Sequence, residues 1–569
     1  MQNKAKSLFL CAFSASLLAC TNAAYKQSAD TETYAAIDQK TPMVPGMTEQ
    51  VVIDEPVVVD LSPYPVNNQL YEFLDNEAQS EVGARILSLN AALDLAFRHS
   101  QRYQTQKELL YLQALALTFD RYRYTPIFSS ITSADYQWDA QDQFVSDMEL
   151  LTGIDAINNG ELIGTSEATF TSTSLGARYL LRSGGAIALN LTSNFTRFLT
   201  GDVQEFGTGA LIGSFTQPLL RDFGTAIETE NLLQAERNLL YELRDFTRFR
   251  KSFAVQVASS YYSVLLDRET ARNNYAGLQA TNLSLERERA FQAEGLTTLL
   301  TVGRLEQSAL QADLNWTTSI RRYKRSLDNF KILLGLPAEE SIVLDDNEMA
   351  LIAETGMDSP DISLELAQEM ALQTRLDLYT QLDQVQDAAR KINVAANALE
   401  PALDFSFVAS VPNSTTQAIA ELDFENAVYT AGLDLELPLD TKLVRNNYRR
   451  SIVTYAAAAR NYLLSADNIK LDVLDAWRRM NEARKRYDIS QASVQINERR
   501  VEEAELRAEL GLGDIQDTVD SQNDLTAAQT ELVRSIVSHN VAKLEFWRDV
   551  GLLYVDDSGQ WEEGTDAPR

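Results

Sequence analysis

Leu89-Asn90-Ala91-Ala92-Leu93-Asp94-Leu95-Ala96 and Leu364-Glu365-Leu366-Ala367-Gln368-Glu369-Met370-Ala371 carry leucine, alanine and alanine at the same relative positions. From these two starts the chain runs in step, the first block to Pro126 and the second to Pro401, at one offset (364 − 89 = 275; 401 − 126 = 275). After each proline come short segments of alternating polarity. Each copy then reaches a further proline, Pro218 and Pro438, and enters a very long stretch with helical character. Later, Gly295 matches Gly511 and Gly335 matches Gly551 at a second constant offset (511 − 295 = 216; 551 − 335 = 216). An internal duplication decides the fold before any local detail does. The order helix, strands, helix, helix, stated twice, suits a symmetric wall better than a single catalytic cleft.

Residues 1–19 read as a secretion signal. Lys4 and Lys6 precede an apolar run from Ser7 to Ala19 that is too short to span a bilayer. The run ends Leu17-Leu18-Ala19-Cys20, which looks like a bacterial lipobox, so Cys20 is expected to be the acylated first residue of the mature chain. Thr21 follows it, not an aspartate that would argue for retention in the inner membrane. Cys11 and Cys20 are the only cysteines, and the first leaves with the signal. No thiol remains for catalysis, a disulfide or thiolate metal binding, which fits an oxidising compartment. The formal charge of −31 becomes about −33 once Lys4 and Lys6 are removed. That balance argues against nucleic acid, which needs basic patches.

Residues 20–80 are polar, acidic and proline-bearing, and read as an extended arm leading from the anchor. The first repeat covers 81–336, with a helix at 88–124, strands within 127–217, a long helix at 227–294 and a return helix at 297–335. An acidic linker at 337–360, expected to be irregular, separates it from the second repeat at 361–555. There the helix is expected at 363–399, strands at 403–437, the long helix at 445–509 and the return helix at 514–551. A polar tail, expected to be poorly ordered, occupies 556–569. The strand reading rests on period-two alternation. Leu403, Phe405, Phe407, Ala409 and Val411 alternate with Asp404, Ser406 and Ser410. Ile187, Leu189, Leu191 and Phe195 alternate with Ala188, Asn190, Thr192 and Asn194. Segments of about ten residues, apolar on one face and polar on the other, are what a transmembrane barrel strand requires, although any one alone also suits a half-buried soluble strand. The copies differ most here, since Pro126 to Pro218 spans 92 positions and Pro401 to Pro438 only 37 (218 − 126; 438 − 401). The surplus, with a turn at Ser183-Gly184-Gly185, is either a long external loop or an extra hairpin, and a regular twelve-strand closure is not expected.

Three segments carry a family resemblance. They are Leu89 to Ala96, then Thr216-Gln217-Pro218-Leu219-Leu220-Arg221, then Arg375-Leu376-Asp377-Leu378, where Leu376 replaces the proline of a usual Arg-Pro-Asp-Leu. In this order and spacing, over residues 80–555, the chain resembles the TolC-like outer-membrane efflux proteins, in their lipoprotein branch. The resemblance implies a mixed α and β membrane protein. It would be a homotrimer whose transmembrane β-barrel, two strands per half and twelve in all, continues as a long periplasmic α-helical barrel. It implies a passive exit duct of a tripartite efflux or secretion system, anchored in the outer membrane through Cys20 and a lipid such as palmitate. Its partners would be two further copies of itself, a periplasmic adaptor protein, an inner-membrane transporter and outer-membrane lipid. The linker near 337–360 would belong to an equatorial belt around the tube.

The helical turns at Gly295-Leu296 and Gly511-Leu512-Gly513 would be the periplasmic tips that meet the adaptor. Asp517 and Asp520, three apart and so on one helix face, are candidates for an acidic ring at the pore entrance; a solvated acidic face is the plainer alternative. Relatives can lock the closed tip with a tyrosine and an arginine, where this chain has Ala508 and Gly513. Tyr136, Trp138, Phe195, Phe198 and Tyr429 are candidates for interfacial girdles, or for ordinary packing. His99 and His539 are the only histidines, each in a helical stretch, and no cluster suggests a metal, cofactor or phosphate site. The chain is therefore expected not to be an enzyme. A lipid-anchored periplasmic coiled-coil adaptor without a pore is the rival reading, and the alternating segments before Pro438 discriminate against it.

Overall fold

The computed structural model describes residues 22–47, 50–53, 59–139, 166–199, 205–355, 357–358, 360, 362–413, 422–510 and 515–563. Two compact units are present. One comprises Leu115–Asn238 and Asp383–Ala459; the other comprises Met1–Ala114, Leu239–Leu382 and Arg460–Arg569.

The first unit is built on a six-stranded sheet: β1 (Ile127–Asp139), β2 (Ser166–Leu180), β3 (Ala186–Phe198), β4 (Glu205–Pro218), β5 (Ala402–Pro412) and β6 (Val428–Glu436). The spatial order is the chain order, and every neighbouring pair is antiparallel. Prolines mark its boundaries because they cannot donate to a ladder. β1 starts directly after Pro126, β4 ends on Pro218 and β5 starts directly after Pro401. The expectation of two strands per half is corrected here: residues 127–218 make four strands and the second half makes two. The added pair is the β2–β3 hairpin. Its turn falls at Ser183-Gly184-Gly185, where Gly184 takes φ 91° and the Leu181 amide donates to the Gly185 carbonyl at 2.7 Å. A left-handed residue in a tight hairpin turn is a natural place for glycine.

The second unit is helical. It contains α1 (Asn22–Lys40), α2 (Leu89–His99), α5 (Leu299–Leu334), α6 (Asn347–Thr355), α7 (Leu364–Thr374) and α10 (Ile515–Val550). It also holds the adjoining parts of α3 (Gln101–Tyr122), α4 (Glu230–Ala293), α8 (Leu376–Asn397) and α9 (Lys442–Glu509). Its core is aromatic and aliphatic. Phe97, Tyr103 and Phe253 pack with ring centroids 4.6–5.4 Å apart, and Tyr261, Tyr323, Phe330 and Phe546 are fully buried.

Four expectations fail in this unit. The stretches 88–124 and 363–399 are each broken, not continuous. Ser100 and Arg375 adopt extended backbone with ψ 123° and 119°, and they lie 275 positions apart, the offset of the two matching sequence blocks (375 − 100 = 275). Both helices start on a serine cap, Ser88 and Ser363, whose side chains accept from the amides three residues on. The arm is not extended near its start. Asn22–Lys40 is a helix because Thr33, Ala36 and Ile37 share one buried stripe, and the Tyr111 hydroxyl donates to Asp30 at 2.6 Å. The linker is not irregular, since Ile342–Leu344 pairs in parallel with Arg85–Leu87 and α6 follows. The tail is ordered to residue 563: Leu553–Val555 and Trp561–Glu563 form a hairpin, and the buried Arg250 donates to the carbonyls of Val555 and Asp556 at 3.2 and 3.0 Å.

The break at Arg375 survives although Leu376 stands where a proline would enforce it. Side-chain bonds replace the ring. Arg375 grips Asp377 with two bonds of 3.1 and 2.7 Å and reaches Asp472 at 3.0 Å, while Arg248 lies 3.1 Å from Asp377. Burial pushes the Asp377 carboxyl up, but the bonds from Arg375 and the charge of Arg248 outweigh it and hold the group below its ordinary 3.8. A depressed folded value means stability that is present above the unfolded value and lost as pH falls through the folded one. Asp377→Asn is expected to cost about 2 kcal/mol at pH 7, with a gap to the parent that closes as the pH drops below 3.8. Thermal unfolding of both proteins from pH 7 to 3 measures this, and a gap independent of pH would refute it.

Candidate functional site

The sheet segregates its side chains completely enough to define two surfaces. Leu175, Leu191, Leu211 and Val411 pair across successive strands on one face, as do Ile187, Phe215, Phe407 and Ala431. The opposite face carries Ser174, Thr192, Ala210 and Pro412 along one rung, and Arg178, Ala188, Ser214, Val408 and Thr430 along another. Leu433 and Leu435 are 66% and 61% exposed on the apolar face. Both edges are open: among the described residues, β1 and β6 each pair on one side only. An apolar face this wide, left uncovered, marks an interaction with lipid or with another apolar surface.

Connections at the two ends of the sheet differ. At one end, β1–β2, β3–β4 and β5–β6 are joined through 140–165, 199–204 and 413–427, which fall wholly or largely outside the described residues. At the other end the only strand-to-strand turn among the described residues is 181–185, and it is clamped by the Gln217 of the Thr216-to-Arg221 motif. Gln217 donates to the Ser183 carbonyl at 3.2 Å and accepts from its hydroxyl at 3.0 Å. Gly184 is required, since at φ 91° its Cβ would lie 2.5 Å from the Asp222 carbonyl oxygen, while a Cβ at Gly185 would lie 2.4 Å from Gln217 Oε1 and push the clamp aside. Arg221 next to the clamp reaches Glu436 at the foot of β6, 3.1 Å away.

Of the aromatic candidates, Tyr136 and Tyr429 are exposed, at 59% and 66%. Tyr429 stacks on Phe407 with centroids 6.4 Å apart. Phe195 lies on the apolar face, in register with Thr171 and Gly207. The side chains of Trp138 and Phe198 lie outside the described residues.

In the helical unit, Gly295 ends α4 with φ 74°. Its amide bonds to the Gln292 carbonyl at 3.0 Å and the Leu296 amide to the Phe291 carbonyl at 2.9 Å, the paired bonds of a left-handed helix cap. Thr298 then caps α5 by accepting from Thr301. Leu296, Leu299 and Leu300 are 75%, 76% and 67% exposed. Leu299 and Leu300 went unnoticed in the sequence, where three leucines within five residues of a turn glycine were the available signal. Gly511, Leu512 and Gly513 fall outside the described residues, as does Cys20.

Asp517 and Asp520 both point away from the core. They flank Val519, which is buried with Leu285, Val302, Leu305 and Ala309. Asp520 accepts from the Gln516 amide at 2.9 Å. At the offset of 216 stand Thr301 and the exposed Arg304, so the acidic pair has no acidic counterpart there (517 − 216; 520 − 216). No group of acidic, histidine or cysteine side chains suited to a metal occurs among the described residues. His539 is fully buried, and burial lowers the His99 pKa. No described helix is long and apolar enough to cross a membrane.

Sequence reasoning missed one polar cluster entirely. Arg268, 1% exposed, lies 3.4 Å from Glu81 and 3.2 Å from Asp346, and it sits 4.6 Å from the Tyr71 ring centroid. Tyr323 donates to Glu81 at 2.8 Å, and Lys324 approaches the same carboxylate at 3.2 Å. The cluster joins the arm, the α4–α5 pair and the linker. These segments are far apart in sequence, so no local pattern announces it.

No sequence profile of a known family matches the chain, and no curated protein matches it in sequence. Solved structures do. The CmeC outer membrane channel of Campylobacter jejuni matches at a TM-score of 0.58 and 14% identity over 84% of this chain and 87% of that one. The outer membrane protein VceC of Vibrio cholerae matches at 0.57 and 15%, over 81% and 96%. The open state of the MtrE outer membrane channel of Neisseria gonorrhoeae matches at 0.55 and 13%, over 81% and 88%. At such identities the likeness concerns the fold, which this chain shares over most of its length.

Proposed function

We propose that this chain, having the fold of the TolC-like outer-membrane channels, is one protomer of a passive exit duct. The observation that carries the reading is the six-stranded sheet, with one face mainly apolar, the other mainly polar, and two open edges. In lipid, a sheet is viable only when closed, because unpaired edge groups have no water to bond. Closure by further copies gives a barrel with lipid outside and an aqueous lumen inside, which supports an outer-membrane location. A periplasmic adaptor would have no use for that apolar face.

The finer reading is a homotrimer built from two repeats per chain, 81–336 and 361–555, lipid-anchored through Cys20. It would serve a tripartite efflux or secretion system, exporting from the periplasm and an inner-membrane transporter to the exterior. The exposed Leu296, Leu299 and Leu300 beside Gly295 suit contact with a periplasmic adaptor, and the sequence suggests the same role for Gly511, Leu512 and Gly513. Asp517 and Asp520, exposed at the start of α10, would repeat in each copy as rings of carboxylate that favour cations.

Single-channel conductance in a planar bilayer tests both levels. Discrete cation-selective steps are expected, with selectivity reduced in Asp517→Ala/Asp520→Ala. Steps unchanged by the double substitution would keep the duct and discard the acidic ring. A chain that never enters the bilayer would discard the duct.

A further inference from the structure

The six strands have a consequence for the size of the barrel. Resting on the reading above, that three copies surround one pore, we propose that closure pairs β6 of one copy with β1 of the next and produces an eighteen-stranded barrel, not a twelve-stranded one.

The directions fit. β1 and β6 sit at opposite edges of an even number of alternating strands, so β6 meets the next β1 antiparallel, as every internal pair does. A head-to-tail contact of this kind repeats around a ring.

The register fits as well. One rung crosses the whole sheet from Ser129 through Gly176, Asn190, Ile212 and Ser410 to Val428. β1 extends mainly to one side of that rung, up to Asp139, and β6 wholly to the other, down to Glu436. The edges therefore overlap only if each copy is displaced along the strand direction. Keeping all of β6 within β1, and polar face against polar face, places Val428 opposite position 135, 137 or 139, displacements of 6, 8 or 10 from Ser129. Over three copies and eighteen strands, with about 3.3 Å per residue and 4.8 Å between strands, these give tilts of roughly 35°, 43° and 49°. Transmembrane barrels tilt by about 35–45°, which selects 6 or 8. The strand lengths, the parity of the faces and the tilt thus all accommodate an eighteen-strand closure, at a displacement of 6 or 8 per copy. Barrel diameter grows about linearly with strand number, so the outer mouth is about 1.5 times as wide as a twelve-strand one. It is lined by hydroxyl and amide groups such as Asn190 and Thr192, suited to bulky hydrophilic cargo.

Cysteine pairs read the closure directly, because Cys11 and Cys20 are the only natural cysteines. Thr430→Cys is combined with Ser133→Cys (displacement 6) or Asp135→Cys (displacement 8) in the full chain, expressed in its membrane and oxidised. A twelve-strand barrel that leaves out β1 and β2 would instead bring Thr430 beside Thr192 or Asn194, so Thr430→Cys is also combined with Thr192→Cys and with Asn194→Cys. The expected result is a covalent trimer on denaturing gels with Ser133→Cys or Asp135→Cys, and only monomer with the other two and with single-cysteine controls. Cross-linking through Thr192 or Asn194, or no cross-link in a membrane-inserted trimer, overturns the eighteen-strand barrel but leaves the duct standing. Recovery of the parent as a monomer outside the membrane overturns both.

Discussion

Gly335→Ala is expected to destabilise the protein by about 3–5 kcal/mol, the sum of a left-handed backbone penalty and an overlap with fixed backbone. Gly335 takes φ 81° at the end of α5, where its amide bonds to Ile332 and the Leu336 amide bonds to Lys331. An alanine Cβ would lie 2.1 Å from the His99 carbonyl oxygen, 2.5 Å from the His99 carbonyl carbon and 3.0 Å from the Ser100 nitrogen. Those atoms form the break between α2 and α3, so nothing flexible can yield. Gly551 repeats the arrangement at φ 90° beneath the second break, with Thr374 Oγ1 at 2.5 Å from its would-be Cβ. Gly303→Ala supplies the control, because that residue sits inside α5 with nothing within 4 Å. There alanine should be neutral or stabilise by about 0.5–1 kcal/mol. Thermal melts followed by circular dichroism in detergent compare the three proteins. Equal melting temperatures for Gly335→Ala and the parent would show that the break can slide away from the glycine.

Glu81→Ala carries the second large effect, expected at about 3–5 kcal/mol, because it leaves the buried Arg268 guanidinium without its closest fully buried carboxylate. Arg268, Glu81 and Tyr323 are each at most 1% exposed. Burial first, and the Glu81 carboxylate next, push the Tyr323 phenol well above its ordinary range, so it remains the donor to Glu81. The cost should therefore depend on the partner. Arg268→Met removes the charge along with its need, and the double variant Glu81→Ala/Arg268→Met should recover part of the loss. Proteolysis of the arm together with melting temperature reads this out. A Glu81→Ala loss under about 1 kcal/mol would mean that water screens the pair as at a surface.

What the sequence revealed follows the reach of each physical signal. Period-two alternation around Leu403 and Ile187 is local, and both segments lie in strands, Ala402–Pro412 and Ala186–Phe198. Prolines 126, 218 and 401 act on their own backbone and stand at strand ends. The surplus between Pro126 and Pro218 announced irregularity, and Gly184-Gly185 announced a turn. Weak alternation in Ser166–Leu180, where polar Thr171 and Thr173 share a face with Leu175, left the hairpin undecided. The breaks at Ser100 and Arg375 were hidden because no proline or glycine marks them. They are imposed by distant partners, Gly335, Asp472 and Gly551, that only the folded chain brings near. The same applies to the Arg268 cluster and to the tail, which Arg250 fastens from three hundred residues away. At the candidate entrance, Asp517 and Asp520 were visible as a spacing, while the orientation that turns them outward depends on where Val519 packs.

The β2–β3 hairpin leaves and rejoins the sheet at the same end as its neighbours, so it interrupts neither the strand that enters from α3 nor the one that departs toward α4. Such a unit is an interchangeable stave. Evolution can insert or delete it two strands at a time without disturbing up-and-down order, chain entry or chain exit. Under the proposed closure, the calibre of the barrel becomes a trait that varies separately from the helical unit, set by a segment of some thirty residues and a turn that holds two glycines.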